Sequence, residues 1–192
     1  DTQERWMLGS LVATGQDTAM MVYEDYVSLN VDGQEVKPLL VFYRVTTDGG
    51  KTWSSPKTCL TPKEITLAMR GFLKADGPAG IVKNYVQTLP WICSDSYGKV
   101  HLAFVDNRSG TTSSGDKKVG LWQVRLATWT DPKAGFGQSE RVSHDWPAGR
   151  PPLDFLGCCS DGANSWVIWT ENPKNTGLWD FSGDLYIAHR RL

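Results

Sequence analysis

The chain has 192 residues, 40% hydrophobic and 21% charged, the balance of an ordinary globular protein with one core. Its formal net charge of −1 mixes both signs along the sequence, so nothing favours nucleic acid or an anionic membrane as a partner. The longest apolar runs, such as PLLVFY at 38–43, fall far short of the roughly 20 residues that span a bilayer, and no membrane insertion is expected; no signal peptide is visible, although a mature secreted chain would have lost one.

Nine Trp, 19 Gly and 10 Pro punctuate short Val, Ile, Leu and aromatic runs, which reads as all-β. In chain order, WMLGSLVAT is the first strand, TAMMVYED the second, ending at Asp25, and VFYRVTT the third. The polar turn TTDGGKTW follows at 46–53, and then SSPKTCL supplies a fourth strand. TPKEITLAMRG breaks the pattern. Thr61 is an N-cap, Pro62 occupies the first helical position, Glu64 completes a capping box and Gly71 ends the run, so one short helix is expected over 62–70. GPAG at 77–80 lacks the helix and Lys of a phosphate loop and is a plain turn.

The strand pattern then repeats. LPWICSD and LDFLGCCSD stand where WMLGSLVAT stood, and both contain Cys-Ser-Asp, at Cys93 and Cys159. KVHLAFVD ends at Asp106 and NSWVIWTE at Glu171, each with an aromatic two places before the acid, as in Tyr23, Phe104 and Trp169. An Arg lies nineteen residues after each acid: Arg44, Arg125 and Arg190. This constant spacing predicts a register that holds without gaps across strands two and three. Four-stranded units repeating every 65 to 81 residues are the blades of a β-propeller. The approximate blades are 6–60, 88–135 and 153–192, with 61–87 as an inter-blade insertion in one partial propeller domain.

At TTDGGKTW the sequence resembles the sialidase-like, or BNR-repeat, propellers, whose Asp-box pattern it matches through Thr46, Asp48, Gly50, Thr52 and Trp53. In the second unit ATWTDPKAGFG occupies the same place without the pattern. The resemblance implies a six-bladed ring, of which this chain holds about three blades, and a secreted or periplasmic setting. It also implies that the Asp-box is a folding clasp: the Asp accepts backbone N–H bonds, Gly permits positive φ and Trp53 packs beneath the hairpin as a large buried aromatic. The third unit stops at DLYIAHRRL with no fourth strand. The chain is therefore expected to be the C-terminal half of a longer polypeptide, or to pair with a second chain that supplies the missing propeller half.

Blade topology sends the loops 26–38, 107–118 and 172–183, and the connections 60–90 and 132–152, to the end opposite the Asp-box. Asp25, Asp106 and Glu171 go with them. These acids either bind a structural cation or sugar hydroxyls at the channel mouth, or cap their own loops; the second reading is favoured because repeated positions repeat a structural job. Arg108 in the rim loop, and Arg150 and Asp154 in GRPPLDF before a first strand, complete the ligand-binding candidates. The sialidase signature Arg-Ile-Pro is absent, so no catalytic residue is carried over. A glycan- or ligand-binding scaffold is the leading reading, and part of a sialidase-type exo-glycosidase the alternative.

Four cysteines remain: Cys59, Cys93, Cys158 and Cys159. One of the adjacent pair can meet Cys93, but a strained vicinal disulfide or free buried thiols are equally allowed. No metal site or cofactor is predicted, since no CxxC spacing exists and His101, His144 and His189 are scattered. NRS at Asn107 is a glycosylation sequon of the kind that arises often by chance.

Overall fold

A computed structural model describes residues 9–76, 87–109, 111–114, 117–131, 134–148, 156–171 and 184–191. They form mostly antiparallel β-sheet with one helix, as the composition predicts. The first sheet is a meander of β1 (Gly9–Ala13), β2 (Ala19–Tyr26), β5 (Leu39–Thr46) and β6 (Lys57–Thr58) in that spatial order. Between β2 and β5 sits a small hairpin of β3 (Leu29–Val31) and β4 (Gln34–Val36). Its two-residue turn puts Asp32 at φ 52° and Gly33 at φ 86°, the paired positive φ of a type I′ turn that Asp-Gly tolerates best.

The second sheet runs β7 (Gln87–Ser94), β8 (Val100–Asp106), β10 (Lys117–Asp131) and β11 (Gly135–Phe136), with β9 (Thr111–Ser114), β12 (Glu140–Arg141) and β13 (Trp146–Ala148) also paired to the long β10. The third comprises β14 (Leu156–Ser160), β15 (Asn164–Glu171) and β16 (Asp184–Arg191) among the described residues.

The second sheet lies between the other two. Met20, Val22, Leu40 and Tyr43 of the first sheet form one core with Ile92, Val100, Leu102, Phe104, Ala127 and Trp129 of the second. Ala103, Val105, Trp122, Val124 and Leu126, from the opposite face, form another with Leu156, Val167 and Trp169. A strand covered on both faces loses the usual alternation, and all seven positions of β8 are buried. By contrast β2 alternates, its even residues facing the core.

The helix α1 (Pro62–Asp76) begins as the sequence predicts. Thr61 Oγ1 accepts the Glu64 N–H at 3.2 Å, while Glu64 Oε2 accepts the Thr61 N–H at 3.3 Å, the reciprocal capping box. It continues five residues beyond the expected Gly71 stop, to Asp76. Ile65, Ala68 and Met69, spaced for one face of a helix, enter the first core. Gly71 inside the helix costs roughly 1 kcal/mol relative to Ala, less than these three buried side chains contribute to the helix as a whole. Arg70 then ties the exposed side to the β3–β4 hairpin through a bidentate pair with Asp32 at 2.9 and 2.7 Å.

The constant nineteen-residue spacing does not hold the pairing register. Arg44 lies opposite Met21, four residues before Asp25, and Arg125 lies opposite Phe104, two before Asp106. Arg190 lies opposite Ser165, six before Glu171. The steps are all even, so each Arg keeps the face of its acid while the length of the intervening connection absorbs the slip.

The residues of the turn at 46–53 bond to one another. Asp48 Oδ1 accepts the Thr52 N–H at 2.9 Å and the Thr46 hydroxyl at 2.8 Å, and Asp48 Oδ2 accepts the Thr52 hydroxyl at 2.6 Å. These donors, the Thr52 hydroxyl first, hold the Asp48 carboxyl down at about 2. Trp53, however, is only half-buried and belongs to neither core. Trp53→Ala is accordingly expected to cost about 1–2 kcal/mol, by half-burial of its ring area, against the 3–5 of a core aromatic. Chemical denaturation of the variant measures the difference; a loss above that range would return Trp53 to the core.

Candidate functional site

The turns between first and second strands gather at one end of the molecule. The Gly49 N–H of the Asp-box donates to the Asp17 carbonyl at 2.9 Å, which joins two turns of the first sheet. Asp95 closes the equivalent turn of the second sheet, its Oδ1 accepting the Tyr97 and Lys99 N–H groups at 2.8 and 2.9 Å. Asp161 closes the third through Ala163 and Asn164. The repeated Cys-Ser-Asp thus has a local cause, a turn-closing carboxylate. Gly98 lies against the Thr14 carbonyl, and any side chain at Gly162, φ 91°, would come within 2.4 Å of the Tyr97 ring. The three turns are neighbours, so the carboxyl ends of β2, β8 and β15 share the opposite end.

At that opposite end the predicted acids meet different fates. Asp25 is half-buried and accepts the N–H of its own neighbour Tyr26 at 2.8 Å. Asp106 is fully buried and binds the Arg108 Nε–H at 2.6 Å and the Gln123 amide at 2.8 Å. Glu171 ends β15, but its side chain, together with Arg150 and Asp154, lies outside the described residues, as do loop 172–183 and GPAG at 77–80.

Arg108 extends the Asp106 contact to Glu64 of α1, 3.5 Å away. Glu64 Oε1 in turn accepts the Ser139 N–H and hydroxyl at 3.2 and 3.0 Å, and the Arg125 Nε–H donates to the Ser139 hydroxyl at 2.9 Å. A chain of alternating charge therefore crosses from α1 to β8, β10 and β12. Pairing of opposite charges offsets the cost of taking them out of water, although Arg108 Nη2 is buried with no hydrogen-bond partner among the described residues.

Sequence reading missed Glu24. This carboxylate, one residue before Asp25, is buried and accepts the Thr88 hydroxyl and the Leu89 N–H, both at 2.7 Å. Leu89 has φ 54° at the point where the β7–β8 register slips. Beside it Gln87 Oε1 accepts the Val41 N–H at 3.0 Å. The signal was available in AMMVYEDY, where the two-residue period puts Glu24 on the face of Met20 and Val22. Asn107 of the sequon is buried as well, so the folded chain offers no glycosylation site there.

Between the second and third sheets, nearer the turns, Ser165, His101 and Asp95 form a second polar cluster. His101 Nε2 faces Asp95 Oδ2 at 3.4 Å, and Nδ1 faces the hydroxyls of Thr128 at 3.2 Å and Ser165 at 3.4 Å. The order copies a hydrolytic triad, yet all three are buried. No substrate reaches Ser165 Oγ, and the cluster is an inter-sheet lock. Burial pushes the His101 pKa down, more than Asp95 raises it. Burial alone would raise Asp95, but the Lys99 and Tyr97 N–H groups and His101 outweigh it and lower its pKa.

The histidine is therefore neutral in the fold. Because its folded pKa lies below the unfolded value near 6.5, the stability it contributes is complete above that value and is lost as pH falls through the window beneath it. Asp95 adds a further loss below about 4. Thermal midpoints should decline on acidification from pH 6.5, and His101→Gln should flatten the upper part of that decline. An unchanged profile in the variant would place the titration elsewhere.

Among the described residues, no group of three or more His, Cys, Asp or Glu side chains is arranged to hold a metal ion. No helix there is long and apolar enough to cross a membrane. No protein-family model matches the chain, and no curated protein matches it significantly.

Proposed function

We propose that the chain is a portion of a sialidase-like β-propeller that acts as a scaffold and glycan- or ligand-binding module in a secreted or periplasmic setting. The observation that carries this reading is the repeated sheet interface. Phe104 and Trp169, at equivalent places in the second and third sheets, are buried against the preceding sheet. Arg190 likewise reaches back to the second sheet, to Glu140 at 3.6 Å and the Arg141 carbonyl at 3.2 Å. Tyr23 and Arg44 hold the same places on the first sheet but are only half-buried, on a face shared by exposed Leu11. The outer face of the third sheet carries Ile168, Leu185 and Ile187, the last 65% exposed.

One face is thus built like the back of a sheet and the other like the front of one. Their occupants are the remaining sheets of the propeller, from the same precursor or a second chain. The four-stranded meanders, their turns at one end and the Asp-box clasp support the same reading. The exo-glycosidase alternative needs three guanidinium groups converging on a substrate carboxylate, whereas Arg125 and Arg190 are engaged with Ser139 and with Glu140.

Glycan-array binding and turnover of a fluorogenic sialoside, both on the full-length source protein, test the proposal. Binding without turnover is expected. Turnover would establish the alternative, and neither binding nor turnover would reduce the function to scaffolding.

A further inference from the structure

We propose that Cys93 and Cys158 close a reversible disulfide that bolts the second sheet to the third. The two sulfurs lie 3.1 Å apart on β7 and β14, the first strands of neighbouring sheets. Closing to the bond length of about 2.05 Å needs a shift of roughly one ångström. Cys158 Sγ is also 3.5 Å from the carbonyl oxygens of Trp91 and His101, so it is held at the sheet junction and turned toward Cys93. The neighbouring Cys159 is exposed, and Cys59 is buried in the first core. A vicinal Cys158–Cys159 bridge would have to pull Cys158 away from this junction, since adjacent strand side chains point to opposite faces.

The hydrogen bond from the Cys158 thiol lowers the pKa of Cys93, and the same bond together with burial raises that of Cys158. Cys93 is thus the attacking sulfur. Its thiolate displaces one thiolate from a small-molecule disulfide of the glutathione type, leaving a mixed disulfide on Cys93. Cys158 then loses its proton to solvent and attacks the Cys93 sulfur, releasing the second small thiolate. Two protein thiols are oxidised and one external disulfide is reduced to two thiols.

The test is oxidation of the full chain with oxidised glutathione, followed by denaturation, alkylation with N-ethylmaleimide and peptide mapping. A linked pair containing Cys93 and Cys158 is expected, with Cys59 alkylated and Cys159 either alkylated or carrying glutathione. The oxidised form should melt on the order of 10 °C above the dithiothreitol-reduced form, because the bridge closes a long loop in the unfolded chain. Cys159→Ser should keep both results. A Cys158–Cys159 linkage, modification at Cys159 alone, absence of any linked pair, or a linked pair with no rise in melting temperature would each overturn the proposal.

Discussion

Phe104→Ala is expected to lower stability by about 3–5 kcal/mol, while Tyr23→Ala, the same change at the equivalent place in the repeat, costs about 1–2. Phe104 is fully buried between the first and second sheets, and its removal leaves a cavity that two packed sheets cannot collapse. Tyr23 faces away from the second sheet and, among the described residues, stacks on Phe42 at a ring separation of 6.0 Å, so solvent fills the space it leaves. Urea denaturation of the two variants gives the comparison. Equal costs would mean that the first sheet already has a partner on its outer face. A Tyr23 cost that rises toward that of Phe104 in a longer native form would identify further sheets as the cover.

Glu24→Ala is the second large effect, about 2–4 kcal/mol. Its carboxylate receives two bonds at 2.7 Å, and removing it strands the Thr88 hydroxyl and the Leu89 N–H in a buried place. Leu89 would also lose the bond that holds a bulky residue at positive φ, a conformation that itself costs on the order of 1 kcal/mol. Removal of a desolvated charge offsets part of this loss. Glu24→Gln keeps an acceptor and should cost less than Glu24→Ala, and Asp25→Ala should also cost less than Glu24→Ala, because Asp25 is only half-buried whereas Glu24 is buried. Denaturation midpoints that rank Asp25 above Glu24 would reverse the assignment of the buried acid.

These two cases show where sequence reading stops. Strands, turns and the helix start were legible because their causes are local. Apolar runs between Gly and Asp, the capping box at Thr61–Glu64 and the Asp48 turn each need only neighbours within a few residues. The repeat itself was legible from Tyr23, Phe104 and Trp169.

Tertiary structure decided what lies far apart in sequence. The pairing register slipped from sheet to sheet because connection length, which no spacing of Asp and Arg reports, sets which residues face each other. Helix α1 ran past Gly71 to Asp76, and its Ile65, Ala68 and Met69 found their core among strands far away in sequence. Trp53 stayed half-exposed, outside both cores. Asp106, an acid equivalent to Asp25 by sequence, became a buried partner of Arg108 and Gln123 because it ends a strand of the middle sheet, which is covered on both faces. Composition and period determine which residues must leave water; which sheet receives them depends on packing, and packing brings together Glu24 with Leu89 and Cys93 with Cys158 across 65 residues of chain.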